Sequence, residues 1–312
     1  MSIRSILKKN KFIYNSYLKK KYFNSKYIFE NRSKNSDTLC YILAGYKEFT
    51  WSIIFDRIKK IAPKNIDICI LSSGVYSNKL SKIAKDNNWS YLSVNKNCVT
   101  LAQNIVLKKF DKAENIYKLD EDIFITKDFF KQLKYTYEEV NKRDYNVGFV
   151  APLIPINGYG HAKILKKLNL INIYEEKFEP VKYAAGRERM IESSPEVAKF
   201  MWGEGGFVPQ IDELSTKLNK MPFTYSACSI RFSIGAIFFK RELWESMRYF
   251  KVEKGSCMGL DETQMCSYCI CNSKAMIISE NVCVGHLSFG TQNQPMEEYF
   301  KHNIEIFKLK SK

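Results

Sequence analysis

The sequence predicts an α/β fold, with a mostly parallel central sheet flanked by helices and a loop-rich insertion. Three observations carry this. Between residues 38 and 153, apolar β-prone runs alternate with segments of helical period. From Pro155 to Ser229 the alternation gives way to a stretch dense in glycine and proline. At Phe232 it resumes, and it runs on to His286. Strands alternating with helices of this size form βαβ units, which build parallel sheets.

The elements follow in order. Residues 38–45 are apolar and close on glycine, which makes them the first strand. Trp51, Ile53, Ile54, Phe55, Ile58 and Ile61 recur at helical spacing, and Pro63 stops that helix. Residues 66–71 form the second strand, closed by Ser72-Ser73-Gly74. A short helix over 79–87 leads to a third strand at 90–94. The helix over 101–110 turns Ala102, Ile105 and Val106 inward, and residues 116–119 are the fourth strand. A helix over 128–142 and a strand over 147–153 continue the pattern.

Between Pro155 and Ser229, turn-formers of this density mark a lid or a substrate-recognition segment. Tyr159, Trp202 and Phe207 are candidates to stack on a sugar or to pack locally. Arg187 and Arg189 are candidates for phosphate or for a solvated surface. A strand over 232–239, a helix from Arg241, an acidic helix start at 259–265 and a strand over 275–284 complete the domain. Residues 1–37 stand apart as a basic aromatic arm. Residues 38–312 form a single domain in three parts: 38–153, the insertion 154–230, and 231–312.

With 45% hydrophobic and 14% aromatic residues, the chain can bury a proper core and is not disordered. A net charge of +16 calls for anionic company: nucleic acid, an acidic membrane surface or a nucleotide-linked substrate. Nine scattered cysteines suit a reduced compartment better than a disulfide framework. The Cys266, Cys269 and Cys271 cluster lacks a second ligand pair at zinc spacing and fits helix packing. The amino end has no apolar run like that of a signal peptide, and no stretch is long and apolar enough to span a bilayer. Lysines interleaved with Phe12, Tyr14, Tyr17, Tyr22, Phe23, Tyr27 and Phe29 could lie on anionic lipid or pack on the domain that follows.

The fourth strand ends in Asp120-Glu121-Asp122. Adjacent carboxylates repel and resist burial, so a chain that gathers them at a strand end fits a divalent cation. An acidic turn ahead of the helix near Thr126 would also account for them. In extended geometry Asp120 and Asp122 share one side and Glu121 faces the other. Ligands of parallel sheets bind beyond the carboxyl ends of strands, where these acids sit. Asp261-Glu262 opens a helix, a place where the helix dipole favours acids for structural reasons alone. Of His161, His286 and His302, His286 follows a strand end and is the candidate metal ligand.

In this order, these parts resemble a nucleotide-sugar glycosyltransferase of the GT-A fold, closest to the family 2-like group. The Leu119-Asp120-Glu121-Asp122 stretch is similar to that family's DxD motif, and Asn104 to the Asn of the preceding helix. Residues 233–243 are similar to its acceptor-side strand and helix. Asp261-Glu262 falls where the family keeps its acidic catalytic pair, and His286 where many members keep a third metal ligand. The resemblance spans roughly residues 39–300, with the 155–229 segment unmatched. Two departures stand out. Ser72-Ser73-Gly74 replaces an Asp-rich turn that touches the base and ribose, and the acidic pair reads Asp-Glu rather than Glu-Asp.

The resemblance implies a Rossmann-like GT-A domain, with a nucleotide-sugar-binding half at 38–153 and an acceptor half at 231–312. It implies Mn2+ or Mg2+ held by Asp120, Asp122 and His286. Ala44, Gly45, Tyr46, Ser72, Asn104, Asp120 and Glu121 would contact a UDP-linked donor, with Tyr46 stacking on the base. Asp261 or Glu262 would be the base for an inverting hexosyl or N-acetylhexosaminyl transfer. The acceptor would be a glycan or lipid-linked intermediate of capsule or lipopolysaccharide assembly, in the cytoplasm at the inner face of the membrane, with no nucleic acid partner. A nucleotidyltransferase would need an Arg after a Gly-rich loop, where this chain has Tyr46-Lys47-Glu48. A metal-dependent nuclease would leave Asp261-Glu262 and His286 unexplained, and a non-catalytic membrane scaffold would leave the acids unexplained.

Overall fold

The computed structural model describes residues 20–310, together with Ile13 and Ser16 ahead of them. Part of the basic aromatic arm expected over residues 1–37, namely residues 1–12, 14, 15 and 17–19, therefore lies outside the described residues. Among the described residues no helix is long and apolar enough to cross a membrane.

The core is a nine-stranded sheet in the order β1-β4-β3-β2-β5-β9-β7-β10-β8. Its strands are β1 (Tyr27–Glu30), β2 (Thr38–Leu43), β3 (Asp67–Ser73), β4 (Ser90–Val94), β5 (Asn115–Asp120), β7 (Val147–Leu153), β8 (Tyr225–Ala227), β9 (Ala236–Lys240) and β10 (Ala275–Cys283). β2 lies parallel to β3 and β5, β3 to β4, and β7 to β10. β9 runs antiparallel between β5 and β7, and β1 and β8 close the two edges antiparallel. Because β9 is reversed, its amino end meets the carboxyl ends of its neighbours. A two-stranded ribbon of β6 (Ile123–Phe124) and β11 (Gly285–His286) pairs Ile123 with His286.

The crossover helices are those expected: α1 (Trp51–Ile61), α2 (Asn78–Asp86), α3 (Val99–Lys109) and α4 (Phe129–Arg143). β3 and β7 are buried along their whole length, as strands of a covered parallel sheet should be.

Two regions differ from expectation. Order begins before residue 38, because β1 pairs with β4 through Tyr27↔Val94 to Glu30↔Tyr91. Without it β4 would be an exposed edge with unpaired backbone groups. Phe23 packs edge-on against Trp244 and Tyr249, so this part of the arm belongs to the domain. The insertion, expected as loop, is a series of short helices joined by turns: α5 (Gly160–Leu168), α6 (Ile171–Lys177), α7 (Pro195–Met201) and α8 (Ile211–Asn219). Its prolines and glycines punctuate helices rather than exclude them. Pro195 opens α7 behind the Ser194 cap, and Gly203, at φ 98°, follows the turn at Trp202 that ends it. Beyond the insertion lie α9 (Arg241–Ser246), α10 (Leu260–Cys271) and α11 (Asn293–His302).

All nine cysteines are free thiols. Cys266 and Cys269 are buried and Cys271 is exposed, as helix packing requires.

Candidate active site

The carboxyl ends of β2, β3 and β5, the amino end of β9 and the start of α10 enclose a cleft of about 400 Å³. Its floor is the tip of β5, where the register that pairs Leu43 with Asp120 sets the acids at the sheet edge. Asp120 N–H donates to Gly235 O at 2.8 Å, which ties β5 to the turn before β9. A side chain at residue 235 would place its Cβ 3.1 Å from Asp120 Oδ2, so glycine keeps that carboxylate open to the cleft.

The three acids have three different surroundings. Lys118, two residues earlier on the same face of β5, donates to Asp120 Oδ1 at 2.7 Å and to Ile234 O at 2.9 Å. Burial raises the Asp120 pKa above its ordinary value, with Asp122 and Asp261 adding to this against the pull of Lys118. Burial opposes the charge of Lys118, but Asp120 and then Asp261 outweigh it and raise its pKa. Glu121 points the other way, as strand alternation predicts. Its carboxylate accepts from Gly45 N–H (2.9 Å), Tyr46 N–H (2.9 Å) and Trp51 Nε1–H (2.6 Å). Glu121, expected to contact the donor, lines the cleft and spends its acceptors on holding the loop after β2. It positions the cleft wall.

Asp122 is 4% exposed, and one of its oxygens meets two nitrogens: Lys47 Nζ at 2.6 Å and His286 Nε2 at 3.2 Å. Burial works against this carboxylate, but His286 and Lys47 outweigh it and hold its pKa below the usual range. His286 arrives on the ribbon opposite Ile123, and Trp202 of the insertion donates to its carbonyl at 3.1 Å. A Cβ at residue 285 would lie 2.1 Å from the Trp202 ring, so only glycine admits this strut. Trp202, a sugar-stacking candidate by sequence, is buried and braces His286. Tyr159 is buried likewise, and Arg189 pairs with Glu179 at 3.1 Å.

Across the cleft, Asp261 is 5% exposed and accepts from Gln103 Nε2 at 2.8 Å. Gln103 Oε1 in turn accepts from Tyr41 OH at 2.7 Å. Among the described residues the other Asp261 oxygen takes no protein hydrogen bond. Glu262 has both oxygens engaged, by Arg231 Nη1 at 2.8 Å and Ile234 N–H at 3.3 Å. Burial raises its pKa, with Asp261 adding to this against Arg231.

Two expected donor contacts are placed elsewhere. Asn104 is fully buried, accepts from Trp244 Nε1 and Phe250 N–H, and donates to Tyr22 O and Phe250 O. It ties the Phe250 loop to α3, while its neighbour Gln103 reaches the cleft acid. Ser72 is turned into the core against Tyr91 OH and Val75 O, and Ser73 lines the cleft instead. Ala44 and Tyr46 do line it, with Tyr46 63% exposed at the rim and its hydroxyl donating to Ser73 O at 2.8 Å. A more open groove of about 540 Å³ lies along Tyr46, Glu48, Phe49 and Lys79 and holds none of the acids at the tip of β5.

Lys118 and Gln103 were not singled out in the sequence, and Lys47 only within Tyr46-Lys47-Glu48, not as a partner of Asp122. Only Lys118 left a local signal, its two-residue spacing from Asp120 on one strand face.

Among the described residues no group of three or more His, Cys, Asp or Glu side chains converges on a metal position. Asp122 and His286 form a two-point anchor that already faces a cation, the Lys47 ammonium. Mg2+ and Mn2+ sites shared with substrate phosphates need no more than one or two protein ligands, so this pair fits such an ion.

No known family model and no curated protein matches the chain. Among solved structures, it aligns with GalNAc-T7 in complex with UDP, GalNAc and Mn2+ at 12% identity and TM-score 0.46, covering 81% of this chain and 44% of that one. It aligns with the mannosyltransferase PcManGT of Pyrobaculum calidifontis, in complex with GDP-Man and Mn2+, at 12% identity and TM-score 0.46, covering 88% of this chain and 64% of that one. The chain spans less than two thirds of the length of either.

Proposed function

We propose that this cleft is the active site of a metal-dependent glycosyltransferase of the GT-A type, which moves a sugar from a nucleoside diphosphate to an acceptor hydroxyl. The observation that carries the reading is the meeting of Asp122 and His286 at 3.2 Å at the sheet's carboxyl edge, with Asp261 lining the same cleft. A bound Mn2+ or Mg2+ would neutralise charge on the departing diphosphate.

The chain's own residues divide the remaining work. Glu121 fixes the loop that presents Tyr46 to the base. Lys118 holds Asp120 where it can reach the ribose or the ion. Asp261, oriented by Gln103 and Tyr41 with one oxygen open, takes the acceptor's proton as that hydroxyl attacks the anomeric carbon. Attack from the face opposite the diphosphate inverts the anomeric centre. Glu262, with both oxygens engaged, shapes the turn before β9 and is not the base.

We read the donor as UDP-linked and the transferred group as a hexosyl or N-acetylhexosaminyl unit. A lipid-linked or glycan acceptor of surface polysaccharide assembly, capsule or lipopolysaccharide, met at the cytoplasmic face of the membrane, suits a chain of net charge +16.

The test is a thermal-shift panel of UDP, GDP, CDP, CMP and dTDP, with and without Mn2+, on this protein and on Asp122→Asn. A ligand that binds only the folded state raises the melting temperature by mass action. One nucleotide should shift the melt, need Mn2+ to do so, and lose its effect in Asp122→Asn. A folded protein that responds to no nucleotide refutes the reading.

A further inference from the structure

The Asp122 oxygen that faces His286 is already occupied. Lys47 Nζ lies 2.6 Å from it, closer than His286 Nε2 at 3.2 Å, and its next polar neighbour is Asn293 Oδ1 at 3.5 Å. The contact is prepared by the backbone. Glu121 clamps the amides of Gly45 and Tyr46, and the single Thr50 hydroxyl lies within hydrogen-bond reach of both Lys47 O at 2.8 Å and Glu121 O at 2.6 Å. The root of Lys47 is therefore held while its four-carbon stem can swing.

We propose that Lys47 is a resident cation of the Asp122–His286 pair, which a divalent ion displaces and which then moves onto the donor's diphosphate. The inference rests on the metal-dependent reading above and adds an order of binding to it. An ion bound to Asp122 would stand at about 2.1 Å from the oxygen that the ammonium now touches. A dication and an ammonium on one buried oxygen repel strongly, so the ion alone is a poor competitor. A diphosphate changes the balance by bringing anionic oxygens that accept the displaced ammonium. Metal and nucleotide then bind cooperatively, and by linkage each raises the other's affinity by the same factor.

Lys47 is thus a positioning residue, and its role is visible without turnover. Free Mn2+ is followed by its solution EPR signal in titrations of wild type, Lys47→Met, Lys47→Arg and Asp122→Asn, with and without UDP. Wild type and Lys47→Arg should bind Mn2+ alone weakly, and Lys47→Met at least tenfold more tightly. UDP should tighten Mn2+ binding at least tenfold in wild type and much less in Lys47→Met. Asp122→Asn should bind little Mn2+ in either condition. Equal Mn2+ affinity in wild type and Lys47→Met, lost in both when Asp122 is also replaced, overturns the role of Lys47 and leaves the metal site standing. Mn2+ binding that ignores Asp122, or none in any form, overturns both. Melting curves of each variant, compared with wild type, confirm that a folded protein was titrated.

Discussion

At the tip of β5, Asp120 meets Lys118 at 2.7 Å and Asp122 meets Lys47 at 2.6 Å, so both acids are answered by a cation. In the core of the insertion, His161 Nε2, Tyr174 OH and Arg189 Nε are buried with no protein partner among the described residues. There the imidazole is kept neutral: burial lowers the His161 pKa to about 4, and its ring leans on Tyr174 at 5.8 Å. Both regions are buried and polar and each holds an ion pair, Arg189 with Glu179 in the insertion, but only the tip of β5 sets several carboxylates around one cleft. Buried ion pairs rarely repay their desolvation, so a fold under no other demand would keep apolar residues at β5. The tip of β5 gathers charge around a cleft and the insertion braces it, with Trp202 as the strut between them.

The sharpest break in that comparison comes from exchanging charge for an amide at each of the two adjacent acids that open α10. Asp261→Asn should lower kcat by about 10²–10⁴-fold, the range of a lost general base. Glu262→Gln should cost less than about tenfold, because both of its oxygens are engaged in holding the turn before β9. Pre-steady-state turnover, with melting curves as the control for folding, separates the two. Equal losses would show that the open oxygen of Asp261 does not mark the base.

The pattern of what could be read in advance follows from chain distance. The acids, the strand that carries them and His286 at a strand end are legible because period-two alternation and turn chemistry are local. Gln103 and Asn104 show the limit. One residue apart on a helix is a rotation of about 100°, so Gln103 reaches Asp261 while Asn104 reaches Phe250. Ser72 and Ser73 divide in the same way across a strand. Lys47 was hidden because its partner lies 75 residues on. The insertion looked like coil because Pro195 and Gly203 are common to loops and to helix ends, and burial decides which.

The neutral side of the comparison is tested by pH. His161 in the unfolded chain protonates near its ordinary 6.5, whereas the folded chain resists until about pH 4. As pH falls below 6.5 the unfolded state gains protons that the folded state refuses, so stability drops down to about pH 4 and no further from this group. The loss should approach roughly 3 kcal/mol, and His161→Leu should abolish that limb of the profile. Urea midpoints of the two proteins from pH 7 to pH 4 measure it. Parallel profiles would mean that the ring is not held neutral.

Asn104→Ala should destabilise the fold by about 2 kcal/mol, since Trp244 Nε1 and the Phe250 amide lose their acceptor in the core. Nucleotide affinity, measured on the folded variant, should stay within about twofold, because the side chain faces away from the cleft. A selective loss of nucleotide binding would return Asn104 to the donor site.

The smallest effect is expected at the rim. Tyr46 is 63% exposed, and its hydroxyl donates to Ser73 O at 2.8 Å. Tyr46→Phe keeps the ring and loses one solvent-accessible hydrogen bond, so stability and nucleotide affinity should each change by less than about 1 kcal/mol. Tyr46→Ala removes the ring and should weaken nucleotide binding by about 1–3 kcal/mol if a base stacks there, the usual worth of such a contact. Stability should not follow, because an exposed ring contributes little burial. If both variants bind nucleotide as wild type does, the base lies deeper, between Ser73 and Val99 on the cleft wall.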